Sequence, residues 1–314
     1  MNIQWYPGHM TKAKRAMKED MKLIDLVIEL VDARIPLSSR NPDIDELAAG
    51  KARMVLLNKS DLADEKKNSQ WAAWFEAQNI HVVKIDARNR GSLKQVQSVV
   101  QEACKEKIER DRRRGILNRP IRTMVVGIPN VGKSTFINSF AGKACAKTGN
   151  KPGVTKGNQW IRLNKTLELL DTPGILWPRF EDQQVGLRLA LIGSINDQIL
   201  DRDQLACELI RFLSTSYPQV LPERFGLETD GKTEAEILEE IARVRSCLVK
   251  GGELDLSRAA ALLLDDFRGG KLGRITLEEP QEKDKNEVKK NGLTDIKGRK
   301  IRAGVKPSGG DGRL

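Results

Sequence analysis

Histidine and cysteine are scarce in this 314-residue chain, which has only His9 and His81 and four cysteines, Cys104, Cys145, Cys207 and Cys247. No Cys-x-x-Cys pair occurs, and two imidazoles cannot complete a tetrahedral ligand set, which speaks against a structural zinc site. Four reduced, mostly buried thiols are expected instead, as in a protein of a reducing compartment. Long apolar runs are missing too: no uninterrupted stretch approaches the roughly 18 residues of a membrane-spanning helix. Met10 to Met21 is rich in Lys and Arg and lacks the apolar core of a secretion signal. The expectation is a cytoplasmic protein that does not enter the membrane. Acidic residues are outnumbered, 43 against 54 Lys and Arg, for a formal charge of +11 and a pI near 9.5. Such a surface attracts polyanions, with nucleic acid first among them.

What is present is a regular alternation. Short apolar runs recur at Leu23 to Val31, Met54 to Leu57, Val82 to Ile85, Met124 to Val126 and Leu167 to Leu170. Lying between helical patterns, they predict strands of a mostly parallel sheet covered by helices on both faces, an α/β domain. Ser69 to Gln78 sets Trp71, Trp74 and Phe75 at helical spacing, as for a core-facing helix. Leu93 to Arg114 begins as an amphipathic helix and becomes highly charged, and Asn118-Arg119-Pro120 continues it as an exposed basic connection. After Trp177-Pro178 only helical periodicity remains, in Val185 to Ile192, Leu205 to Leu213, Ala235 to Leu248 and Leu256 to Phe267. Beyond Glu279-Pro280 the periodicity ends, and Lys283 to Leu314 reads as a flexible basic tail. The expected divisions are therefore 1–178, an all-helical 179–280 and a tail over 281–314.

Gly127-Ile128-Pro129-Asn130-Val131-Gly132-Lys133-Ser134 fits G-x-x-x-x-G-K-[ST], directly after an apolar strand and before a helical stretch that begins at Thr135. Glycines let the backbone curl around phosphates so that the amides of Asn130, Val131, Gly132 and the helix start point at them. Lys133 can then reach the terminal phosphates, while the Ser134 hydroxyl ligates magnesium. The run Leu167 to Leu170 ends in Asp171-Thr172-Pro173-Gly174, where Asp171 can hold the same magnesium and the Gly174 amide can approach the last phosphate. Between them, Lys151 to Lys156 has little structural preference. There Thr155 is the candidate hydroxyl that reaches magnesium only when the terminal phosphate is present.

Met54 to Leu57 leads into Asn58-Lys59-Ser60-Asp61. A carboxylate such as Asp61 can accept from both the N1-H and the exocyclic amine of guanine, a donor pair adenine lacks. Asn58 would brace this loop, and the stem of Lys59 would lie over the base. After Val82 to Ile85, Asp86-Ala87-Arg88 offers a backbone N-H near Ala87 for the guanine O6. Together these motifs resemble the five guanine-nucleotide motifs of translation-factor-type GTPases in rotated order, base readers first, as in circularly permuted P-loop GTPases. Trp5 to Met10, Val31-Asp32-Ala33-Arg34-Ile35-Pro36 and the helical C-terminal region resemble the ribosome biogenesis GTPase A family within that group. The resemblance covers residues 1 to 280. It implies GTP and GDP as ligands with magnesium, and a role in assembling the bacterial large (50S) ribosomal subunit. The partner is then rRNA and ribosomal protein, not DNA or membrane, and a monomer is expected in solution. Rotation also leads the Asp171 to Gly174 switch almost directly into the helical region, so that its movement would be passed on through a short connection.

Where many such enzymes carry a water-orienting glutamine, this chain has Ile175, so catalysis must borrow a group. The resemblance implies slow unaided turnover that the ribosomal particle accelerates. His9, in a Pro-Gly turn, could fold back and orient water; it could equally be a surface or RNA-contacting residue. Asn130 resembles the residue that holds a potassium ion in several GTPases, and a structural role in the loop stands beside that reading. A different class of function stays open: an RNA-binding structural protein with a nearly inactive guanine-nucleotide pocket.

Overall fold

The computed structural model describes residues 15, 17–117, 119–142, 159–172, 174, 182–197 and 200–280. Six strands form one sheet: β1 Leu26–Asp32, β2 Ala52–Asn58, β3 His81–Lys84, β4 Ile121–Val126, β5 Gln159–Arg162 and β6 Leu167–Asp171. Their order is β3-β2-β1-β4-β6-β5, with β5 antiparallel to β6 and every other pair parallel. All seven residues of β1 are buried, as a central strand covered on both faces requires. Strand order runs one way from β1 to β3 and restarts on the other side of β1 with β4. That reversal opens a crevice at the carboxyl ends of β1 and β4, the usual ligand position in such sheets.

Helix α1 (Asp43–Leu47) follows β1, and α2 (Glu65–Glu76) follows β2. Asp64 caps α2 by accepting from Lys66 N and Lys67 N, and the helix packs the fully buried Trp71 and Phe75 against Val31, Val55 and Leu57. The single helix expected over 93–114 is two, α3 (Lys94–Ala103) and α4 (Lys105–Arg113), parted at Cys104 (φ −103°, ψ 9°). Val96 and Val100 of α3 face the core, whereas α4 has no buried apolar residue to hold the same axis. Helix α5 (Lys133–Ala141) starts at the phosphate loop. The helical region comprises α6 (Gln183–Leu191), α7 (Arg202–Ser216), α8 (Val220–Phe225), α9 (Glu234–Val244) and α10 (Leu256–Arg268).

Its apolar faces are continuous with the sheet core: Leu189, Leu209, Ile241 and Leu263 belong to the same buried cluster as Ile28, Met124 and Leu169. The chain up to Glu279 clusters as one compact unit. After α10 it returns to the base-reading side: Ile275 N donates to Leu62 O at 3.0 Å and Leu277 N to Arg34 O at 2.8 Å. Asp64 N donates to Thr276 Oγ1 at 3.0 Å. The Glu278 carboxylate accepts from Leu37 N, from Ser38 N and Oγ, and from Arg188 Nη1 of α6. Among the described residues, no helix is long and apolar enough to cross a membrane, and Cys104 and Cys247 are buried thiols. The tail, His9, Cys145, Thr155 and Ile175 lie outside the described residues.

Candidate nucleotide site

Strand β4 delivers the chain into the phosphate loop, where Asn130 (φ 59°) and Gly132 (φ 100°) take left-handed conformations before α5 begins. Asn tolerates that region, and the wider φ of Gly132 suits glycine alone. Lys133 is 7% exposed, and its ammonium donates to Gly127 O at 3.0 Å and Ile128 O at 3.1 Å, holding the loop closed on itself. Burial pulls its pKa down, with Asp171 acting the other way. Burial likewise pushes the Asp171 carboxyl up, against the attraction of Lys133. Ser134 and Thr135 are half-buried in the first turn of α5.

Asp171, at the end of β6 and opposite Val125, keeps a buried Oδ1 that has no hydrogen-bond partner among the described residues. A buried carboxylate oxygen of this kind needs a cation or a donor, so the donor set of Asp171 and Ser134 fits magnesium. Thr172 Oγ1 donates to Val125 O at 2.8 Å and ties the switch strand to β4. Gly174 lies so close that a Cβ there would stand 2.9 Å from Pro129 N and 3.0 Å from the Lys133 ammonium. Only glycine brings its backbone this near the phosphate end.

The base-reading loop is bolted to the phosphate loop. Asn58, 2% exposed, donates from Nδ2 to Val131 O at 2.7 Å and accepts at Oδ1 from Ala87 N at 3.0 Å, joining three motifs with one amide. Asn68 of α2 supports the same loop by donating to Ser60 O at 3.1 Å. Lys59 (φ 58°) reaches across to Asn130 O at 3.1 Å and pairs with Asp32 at 2.9 Å. Asp61 Oδ2 takes the Arg88 guanidinium at 2.6 Å, while its buried Oδ1 has no partner among the described residues. The Asp86 carboxylate turns back on Arg88, accepting from its N at 2.9 Å and Nε at 3.0 Å, so it orients that arginine. The expected residues that are described thus converge at one end of the sheet; His9 and Thr155 fall outside the described residues.

Sequence reasoning missed two sets of contacts. The turn after α6 holds the phosphate loop from the helical side: Asn130 Nδ2 donates to Gly193 O at 2.8 Å, and Ser194 Oγ to Pro129 O at 2.9 Å. Asp32 and Arg34 form a buried pair beside Lys59. A Gly-Ser pair closing an apolar helix, and charged residues at the end of a fully buried strand, were the available signals.

A family described as 50S ribosome-binding GTPase matches residues 122–216. The chain is 49% identical over 282 residues to ribosome biogenesis GTPase A of Bacillus cereus, covering 90% of this chain and 95% of that protein. It is 34% identical to the protein of that name from Thermotoga maritima, covering 89% and 95%. Among solved structures, a GDP-bound YlqF shares 28% identity with a TM-score of 0.60, over 85% of this chain and 99% of that one. A GNP-bound YlqF from T. maritima shares 29% identity at the same TM-score, over 86% and 99%.

Proposed function

We propose, from the premise that this chain belongs to the ribosome biogenesis GTPase A family and hydrolyses GTP, that hydrolysis times its docking on, and release from, the maturing large ribosomal subunit. The observation that carries the reading is Asn58, whose single amide fixes the base-reading and phosphate-binding loops to each other. Asp61 accepts the two guanine donors once Arg88 moves aside, a backbone N-H near Ala87 meets the O6, and Lys59 covers the base. Lys133 and the first amides of α5 receive the phosphates. Ser134 and Asp171 would hold magnesium, joined by Thr155 in the GTP form, and it would supply positive charge at the phosphate oxygens.

The GTP form reaches the helices through two routes: Gly174 against Pro129 and Lys133, and Asn130 and Ser194 across the loop between α6 and α7. We treat 1–178 as the GTPase domain, 179–280 as the docking domain and 281–314 as a basic extension of it. Val244, Leu248 and Val249 are exposed apolar residues next to the exposed Arg243 and Lys250, a surface suited to a ribonucleoprotein. Because Ile175 cannot orient water, turnover depends on a borrowed group, and His9 and a potassium ion at Asn130 are its candidates.

The test is co-sedimentation with large-subunit precursors in the presence of GDP or a non-hydrolysable GTP analogue. Retention with the analogue and release with GDP is expected. Equal sedimentation with both would remove hydrolysis as the timer.

A further inference from the structure

Asp32 is buried at the end of β1 and carries more cations than it can neutralise. Its Oδ1 accepts from Arg34 N at 3.1 Å and Nε at 2.9 Å; its Oδ2 accepts from Arg34 Nη2 at 2.8 Å and meets the Lys59 ammonium at 2.9 Å. Arg34 already balances the carboxylate, so Lys59 is the surplus charge. The backbone of Lys59 is left-handed, a conformation a lysine takes only when its surroundings fix it. Its side chain keeps 25% exposure, the part left over for a base.

Arg34 does not float either. It is 1% exposed, lies 5.3 Å over the ring of Phe267, donates from Nη1 to Arg268 O at 3.4 Å, and its own carbonyl accepts from Leu277 N. The last turn of α10 and the returning segment therefore set where Arg34 sits, Arg34 sets the carboxylate, and the carboxylate sets Lys59.

We propose that Asp32 is a positioning residue for guanine binding, acting through Lys59, and that Arg34 ties this positioning to α10 of the helical region. The inference rests on the assignment of Lys59 and Asp61 to the base. Without the carboxylate, the Lys59 ammonium would face the Arg34 guanidinium with no counter-charge between them and would leave its place. The base side of the pocket would be lost, whereas Lys133 and the amides of α5 would still receive phosphates.

The experiment compares GDP with inorganic tripolyphosphate, which has no base, by calorimetry on the full chain. Asp32→Asn is expected to weaken GDP about tenfold and tripolyphosphate less than about twofold. In a Lys59→Met background the same substitution should cost no further GDP affinity, since the two residues act as one unit. Equal losses for both ligands, or the full loss repeated in the Lys59→Met background, would overturn the proposal. Should Asp32→Asn not fold, Arg34→Lys keeps a charge but loses the fork, and a smaller loss confined to GDP is expected; unchanged GDP binding, or equal weakening of both ligands, overturns it there. A wild-type chain that binds ADP as well as GDP would instead defeat the assignment of the base readers, whatever Asp32 does.

Discussion

Asp32 is a carboxylate that burial disfavours and two cations rescue: burial raises its pKa, but Arg34 and Lys59 outweigh that and hold it well below the usual range. A depressed folded pKa means stability that is present above the ordinary value of 3.8 and is lost as pH falls through the folded one. Asp32→Asn, which leaves the buried Arg34 and the partly exposed Lys59 without their counter-charge, is expected to cost about 3 kcal/mol at neutral pH. Its gap from wild type should close as the medium is acidified below about pH 4, read by urea unfolding at several pH values; a gap that stays constant would mean that charge is not what Asp32 contributes. The phosphate loop and Asn58 were legible in the sequence because each works within a short run whose spacing is fixed by the ligand. Asp32 and Arg34 showed only as part of a family-like run, and Gly193 and Ser194 not at all, because no ligand fixes their spacing: Arg34 meets Arg268 234 residues on, and Gly193 and Ser194 meet the phosphate loop 63 and 65 residues back. Two candidate groups are open to direct measurement. If Asn130 holds potassium, turnover is faster in potassium than in sodium at equal ionic strength, and Asn130→Ala erases the difference; equal rates in the two salts reject the ion. His9→Ala should lower turnover on the ribosomal particle at nearly unchanged nucleotide affinity, and normal turnover would take His9 out of the reaction.

At the scale of elements, β1, β2, β3, β4 and β6 were legible because each carries a short apolar run, most plainly β1, whose seven residues are all buried. β5 was not, since only Ile161 of its four residues is buried and an edge strand needs no more. The returning segment was equally silent. Ile275, Thr276, Leu277 and Glu278 are all buried, yet four residues with a Thr and a Glu among them announce neither helix nor strand. Their role is to clamp the loops after β1 and β2 onto α6. Removing the Glu278 carboxylate leaves Leu37 N without its acceptor and strands the buried Ser38 N and Oγ. Glu278→Ala is therefore expected to cost about 3 kcal/mol. The reference is Thr233→Ala, which removes the capping box of α9 at its exposed start and should cost about 1 kcal/mol. Urea midpoints that rank the two in the opposite order would show that the returning segment lies passively on the surface.

For the whole molecule, charge is the property the sequence states most directly and places least. Lys283 to Leu314 holds ten Lys or Arg and four acidic residues, so deleting it removes six of the eleven net positive charges. Cations that touch phosphates release counterions, and each such contact adds roughly 0.7 to 0.9 to the slope of log affinity against log salt. If four of the ten tail cations touch rRNA, a chain ending at residue 282 should lose about 3 from that slope, because the contacts made by the compact unit remain. The loss of affinity should be large at low ionic strength and small near high salt, where the released ions have little left to gain. It should also be insensitive to RNA sequence, since phosphate contacts carry none of that information. Binding of the truncated and full-length chains to large-subunit precursors, followed across a salt series with the GTP analogue bound, separates the two possibilities. Parallel lines of equal height would place docking entirely on the compact unit, leaving the tail outside the interface.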